Sequence, residues 1–465
     1  MKFFGKTVWC SLVCIVLLIA QQADAEVLEK KSFSRTRDGI IVGGELLPVF
    51  LGEKIENLRL YAYHDGSLKL IPFQIDELTP NRDTYILPQG PKPNTKEGDG
   101  LLSPQDELVF MSFDTGARVS NDEWVAGFRK FEEIEIIDPL TGGKGWVYLF
   151  AFDVPPARAK GDYAKWDEEN EQIVTRVYIN GYTPGEEDIH FTKLLTRKPL
   201  GGSVDFVDRL KIRMHFELAL PPLKISFNEE DTGMEIFRYK DGPIRVIRVG
   251  RIFFRFMGKI KIPAGLVMEI YYESYGQGPT IFRLPAAVKK ILKHWIVAVG
   301  VDLSPEAYGM KFYSSNNLRG VTIDGKMSPE EKKLDLGPSD WHVVTGSHGT
   351  YLNRVINDAP PTKGYNIGDV NRYCDDVGAP DPPEEYPGQI GFFYTWSDFA
   401  AMGAEKLKTS VLFYAPAPNF KPGDQVEFLN IEDHPPLIKT GKKKGKSRCL
   451  PWHPHFPEGY FLSED

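Results

Sequence analysis

Two basic stretches put cations where an extended chain could gather them on one face. Arg245, Arg251, Arg255, Lys259 and Lys261 are all odd-numbered within Ile244 to Ile262, so a strand projects them together unless a bulge intervenes. Lys211, Arg213 and His215 alternate in the same way with Ile212, Met214 and Phe216. As neighbouring strands the two would make a basic floor carrying a histidine. Such a floor could hold the carboxylates of an acidic sugar polymer, Arg by bidentate pairing and Lys as a point charge. Arg251, Arg255, Arg213 and Lys259 are the candidate substrate-binding residues. A solvated sheet face, with the cations paired to Glu217, Glu269 and other acids, fits the same pattern.

Histidines supply the candidate proton-transfer groups. His342 and His348 flank Val343-Val344-Thr345-Gly346-Ser347, a segment with a Gly-rich turn. In a cleft, either could act as general base or neutralise a uronate beside a tyrosine acid such as Tyr351. His215 joins them as a candidate catalytic residue, and a satisfied structural histidine is the competing account for each. His453 and His455 flank Pro454, but two ligands do not complete a zinc site, and Trp452 and Phe456 beside them suit tail docking.

Carboxylates cluster at Glu229-Glu230-Asp231 and Asp375-Asp376, where adjacent acids on a strand would point to opposite faces. A glycosidase needs two acids facing each other across a cleft, a distance sequence does not encode. Asp99 to Asp106 and Asp324 to Glu331 share a D-G-x-h-S-P pattern. Set against a calcium loop, the position-one residue is Thr95 or Gly320, neither a carboxylate. Calcium near Asp99 is the only cofactor in prospect, and a turn leading into a short helical start accounts for both segments. No P-loop, dinucleotide fingerprint, G-x-S-x-G elbow, H-E-x-x-H or C-x-x-C-H motif is present.

The elements that must position these residues read as strands. Aromatic and β-branched residues are frequent, and 43 Gly with 35 Pro supply turns. Lys211 to Leu218 alternates as a half-buried antiparallel strand. Glu132 to Ile137 and Val147 to Phe152 form a pair around Pro139 to Gly143. Val411 to Tyr414 and Val426 to Leu429 read as late strands around Lys421 to Asp424. Ala286 to Val297, entered through Pro285, and Asp398 to Lys408 are the candidate helices.

Residues 1–25 have the n-region, apolar core and Ala23-Asp24-Ala25 cleavage site of a secretory signal. Its apolar run is shorter than a spanning helix, and no later stretch is apolar enough to cross a bilayer. The expected location is therefore periplasmic or extracellular. Losing Lys2, Lys6 and Asp24 takes the formal charge from −8 to −9, an acidic balance that argues against a nucleic-acid partner. Cys374 and Cys449 remain, and in an oxidising compartment they suggest one disulfide tying the tail to the body, with two separate thiols as the alternative. The charged, Pro-containing stretch Val154 to Gln172 divides a β unit at 26–165 from a larger one at 166–435, with 436–465 as a docked tail. Within that tail, Lys442 to Arg448 reads as a solvated loop.

Ile71-Pro72-Phe73-Gln74-Ile75-Asp76-Glu77 and Asp106-Glu107-Leu108-Val109-Phe110 carry a P-x-Q-x-D and D-E-L-V-F pattern. It resembles a group of poorly characterised secreted bacterial β-sandwich proteins. Asp302 to Ala307, Gly309 to Ser314 and Trp341 to Gly346 are similar to the same group. The larger unit resembles the supersandwich of galactose-mutarotase-like and polysaccharide-lyase-like proteins. No catalytic motif matches residue by residue, so the resemblance implies fold and no catalytic role. A plainer account makes Asp76 and Asp106 strand-end acceptors, with Leu108, Phe110 and Phe113 in the core.

The sequence therefore predicts a mainly β chain of two antiparallel sandwich units. Its expected function is that of an exported carbohydrate-interacting protein, acting on acidic polysaccharide if an enzyme. The alternative is a non-catalytic cell-envelope component whose edges bind another protein.

Overall fold

The computed structural model describes residues 27–80, 84–120, 125–198, 200–219, 223–256, 260–283, 290–357, 370–396, 400, 406–441 and 443–448. The expected signal segment, Lys259, Cys449, His453 and His455 lie outside them.

The chain is mainly β, and its paired strands are antiparallel. Four sheets stack in layers. A six-stranded sheet built on Phe128–Ile137 and Lys144–Phe152 forms the first. A three-stranded sheet of Gly39–Gly43, Glu107–Met111 and Gln74–Asp76 lies second. A nine-stranded sheet running from Thr232–Asp241 to Asn317–Thr322 is third. A five-stranded sheet centred on Val207–Leu218 and Leu292–Leu303 closes the stack. Hydrophobic clusters fill the gaps between layers.

Burial on both faces explains the D-E-L-V-F run. Leu108 and Phe110 face the six-stranded sheet, while Val109 and Met111 face the nine-stranded one. A strand with no solvated side reads as continuous apolar residues. Ile40 and Val42 against Ile41 repeat the pattern on the next strand. Beside the five-stranded sheet, a four-stranded sheet of Ala164–Asp167, Gln172–Thr175, Tyr178–Gly181 and Lys193–Thr196 adds Ala164, Ile173, Tyr178 and Leu194 to the same core.

Charge is buried where the three- and nine-stranded sheets meet. The Arg245 guanidinium, 1% exposed, donates to Asp76 at 2.9 Å, Glu107 at 2.7 Å and the Tyr272 hydroxyl at 2.7 Å. Tyr85 donates to Glu107 at 2.9 Å, and Lys240 pairs with Asp76 at 2.8 Å. Gln74 donates to Asp76 and accepts the Ile244 and Arg245 amides. The strand-end reading of Asp76 thus gives way to an ion-pair role. Burial pushes its carboxyl up, but Lys240 and Arg245 outweigh that and hold it below the usual range. Asp106 is the strand-end acceptor expected, taking the Leu78 and Ser103 amides.

Four sequence expectations change. Leu292–Leu303 is a strand rather than the second half of a helix; Trp295, Val297, Val299 and Val301 alternate into the core, so period two wins over the Leu292/Ile296 spacing. Residues 286–289 are outside the described set. Lys406–Tyr414 is likewise a strand, with 398–399 and 401–405 undescribed. Gln425–Asp433 is a helix instead of a strand, because Phe428, Ile431 and Glu432 recur at helical spacing on its buried side. Lys443–Lys446 is a strand paired with Leu437–Thr440, which in turn extends the six-stranded sheet, so the basic run is not a loop.

Replacing Arg245 with Met removes the cation that two buried carboxylates share, leaving Lys240 on Asp76 and Arg448 on Glu107. We expect a loss of about 3–5 kcal/mol in urea unfolding, partly restored by adding Asp76→Asn and Glu107→Gln. Glu432, pushed up to about 8 by burial, contacts Tyr414 and Gln277 inside the core. A raised folded pKa contributes stability below the unfolded value and loses it as pH rises through the folded one. Glu432→Gln should therefore flatten the decline in melting temperature between about pH 5 and pH 9.

Candidate functional site

Three sheets converge on a polar cleft of about 830 Å³. Asp188 and His190 enter from the segment between Tyr178–Gly181 and Lys193–Thr196. Asp188 forms a β-bridge with Gly233, at the start of Thr232–Asp241. The contact needs glycine there, since a Cβ would lie 2.8 Å from the Glu187 carbonyl and 2.3 Å from the Phe253 ring. At the other end, the Leu210 amide donates to the Phe191 carbonyl at 2.9 Å. Arg209 comes from Val207–Leu218, at a register shift between Val207 and Arg209, the kind of irregularity that re-aims a side chain. Glu230 is in the turn before Thr232, and Arg255 is near the end of Val246–Phe256.

The cleft is distinguished by polar atoms without partners. Asp188 Oδ2, His190 Nδ1 and Arg209 Nε are buried and make no hydrogen bond. Asp188 and His190 are 3.8 Å apart, beyond hydrogen-bond distance. Among the described residues, Arg209 has carboxylates at 3.8 Å, in Asp208, and 3.9 Å, in Glu230. An unmet buried polar atom costs about 1–3 kcal/mol, and three of the residues lining this cavity each carry one. Burial first, and then the Arg209 charge, pull His190 down to about 4. The ring is therefore neutral at pH 7, with one nitrogen able to donate and the other to accept. Burial also raises Asp188, against the lowering effects of Thr183 and Arg255.

Of the candidate catalytic and substrate-binding residues that the structure describes, Arg255 alone lines this cleft, beside Glu230 of the carboxylate cluster, and it is largely committed to structure. Its guanidinium donates to the carbonyls of Glu230 at 2.8 Å, Thr232 at 3.2 Å and Glu187 at 3.0 Å. Arg251 lies over the Phe237 ring at 5.9 Å. Arg213 pairs with Glu229 and Asp381, and Lys211 is fully buried against Asp302 and the Asp381 carbonyl. The basic floor does not form, because Val207–Leu218 and Val246–Phe256 belong to different sheets, and its Lys211–Arg213 part is occupied by Asp302, Glu229 and the segment around Asp381. His215 stands exposed, bonded to Ser226 at 2.9 Å. His342 is buried, stacked on Phe392 at 5.2 Å and held down to about 3 by burial, which removes it from general-base work near neutrality. The His348 carbonyl anchors Thr196 at 2.8 Å, and Tyr351 packs in the core against Phe191 and Phe413. These four do not share the cleft.

Cys374 is partly buried and makes no disulfide among the described residues. A second groove, of about 690 Å³, contains Asp99, Glu77, Arg158 and Lys240. Its charges are occupied: Glu77 accepts the Asp99 and Gly100 amides, Asp99 accepts that of Leu101, and Lys240 pairs with Asp76. No group of three His, Cys, Asp or Glu able to hold a metal ion occurs among the described residues.

Sequence reasoning missed Asp188, His190 and Arg209. The available signal was Asp188-Ile189-His190, an acid and a histidine two apart, which extended chain sends to one side.

Fold and cleft together define a layered antiparallel β protein with a polar site where its sheets converge. No protein-family model matches the chain, and no curated protein does. Among solved structures it is similar to an alpha-mannosidase from Enterococcus faecalis V583, at 10% identity and TM-score 0.37, over 87% of this chain and 48% of that one. It is also similar to a protein in glycosyl hydrolase family 38 from Enterococcus faecalis, at 10% identity and TM-score 0.42, over 91% of this chain and 48% of that one. The chain thus spans about half the length of either structure. Likeness this remote transfers no activity.

We expect His190 to titrate near pH 4 in imidazole NMR, and Arg209→Gln to raise that midpoint by removing a repelling charge. Its folded pKa lies below the ordinary value of about 6.5, so the neutral ring's contribution is complete above about pH 6.5 and is lost as pH falls toward 4.

Proposed function

We propose that this chain is an exported carbohydrate-interacting protein that receives sugar hydroxyls in the Asp188–His190–Arg209 cleft. One observation carries the reading: Asp188, His190 and Arg209, which line the same cavity, each carry a buried polar atom without a hydrogen-bond partner. A hydroxyl both donates and accepts, so neighbouring hydroxyls can serve such a mixed set at once. Glu186, Glu187, Asp188 and Glu230 outnumber Arg209 and Arg255 around it. That balance favours a neutral, hydroxyl-rich sugar over the acidic polymer suggested by the basic stretches, since a polyuronate would meet like charge.

The test is a titration of neutral and uronate-containing oligosaccharides followed by amide NMR, with reducing-end release read in parallel. Neutral oligosaccharides should perturb the cleft residues. Arg209→Gln and Asp188→Asn should each weaken binding about tenfold or more, the usual scale for a lost hydrogen bond to a charged group. No perturbation by any saccharide overturns the reading and favours the non-catalytic envelope role. Perturbation by uronates alone overturns the neutral-sugar assignment.

A further inference from the structure

At one end of the molecule two long hairpins outrun the core. Val207–Leu218 with Leu223–Asn228 comes from the five-stranded sheet, and Val246–Phe256 with Ile260–Tyr271 from the nine-stranded one. An aromatic plug closes the core between them: Phe216, Phe227 and Phe254 lie within 5.2–5.7 Å of one another, and Phe216 stacks on Trp295 at 5.4 Å. Beyond the plug, Ile260, Lys261, Ile262 and Pro263 are all exposed. Consecutive strand residues point to opposite faces, so four exposed in a row mean that neither face is covered.

The composition of this end is unusual for a free tip. Ile260 is 57% exposed, Leu223 46% and Ile262 39%. Lysines surround them: Lys224, Lys261 and Lys293 have side chains 83%, 47% and 56% exposed, and Lys290 is exposed beside them in sequence. Acidic compensation is partial. Among the described residues, Glu217 serves both Lys224 at 3.7 Å and Lys293 at 2.7 Å, while Glu187 serves Lys261 at 2.6 Å. A cationic end on a chain of net charge −8 orients the molecule in the field of an anionic surface.

We propose that this hairpin end docks on an anionic lipid bilayer, with Leu223, Ile260 and Ile262 entering the interface and the lysines meeting the headgroups. Apolar residues ringed by lysine suit the boundary between acyl chains and anionic headgroups. A protein partner that buried the apolar side chains would have to neutralise the same lysines. The charge pattern therefore favours lipid over self-association, which would bring like charges together.

The full-length mature chain should be sedimented with phosphatidylcholine vesicles with and without phosphatidylglycerol. Retention should require phosphatidylglycerol and fall with salt. Lys224→Gln with Lys293→Gln should weaken it about 25-fold, from about fivefold per lysine. Ile260→Ser with Ile262→Ser should abolish retention at elevated salt, while circular dichroism stays unchanged because both positions are exposed. Equal retention on both vesicle types, no retention on either, or variants that bind like the parent overturns the proposal. So does light scattering that shows a dimer dispersed by Ile260→Ser with Ile262→Ser.

Discussion

Arg245 sits where the three-stranded and nine-stranded sheets touch, and the layers on either side are organised around its charge. Its guanidinium holds Asp76 from one strand and Glu107 from the next, while Tyr85 and Tyr272 close the sides. A buried ion is tolerated only with full hydrogen bonding, so the lateral position of one layer on the other is narrowly fixed. An apolar interface alone would permit sliding. From the far end, Arg448 adds a second cation to Glu107 at 3.1 Å and reaches Glu45 at 2.6 Å, so the last described residue is held by the same acid.

The fold was legible where a single physical rule governed the sequence. Val207–Leu218 alternates because one face is core and the other is not, and the Glu132/Val147 hairpin announced itself through Pro139 and the following glycines. The D-G-x-h-S-P segments are turns of one local design. In each, a distant acid accepts the Asp-Gly amides, Glu77 in the first and Asp375 in the second. Each then closes with Ser and an acid three residues on, Ser103 with Asp106 and Ser328 with Glu331. That much follows from turn chemistry. Rules failed where two periods competed, as at Leu292 and Val426, because tertiary burial selected between them.

The cleft was less legible, for a different reason. Parity placed Lys211, Arg213 and His215 together, but parity says nothing about what covers a face. Asp381, about 170 residues later in the chain, supplies the cover. Conversely, Asp188, His190 and Arg209 become notable only because one buried polar atom of each lacks a hydrogen bond, and an unmet hydrogen bond leaves no trace in residue order. Their spacing was visible and their isolation was not.

The strand Leu437–Thr440 has a consequence for how the molecule is made. It pairs with Phe128–Ile137, and Lys439 reaches Glu135 across 304 positions. That edge is completed only after the 304 positions separating the two residues have been synthesised, and loop closure on this scale is slow. Until then, the amino-terminal sheet has an open flank that can invite mispairing.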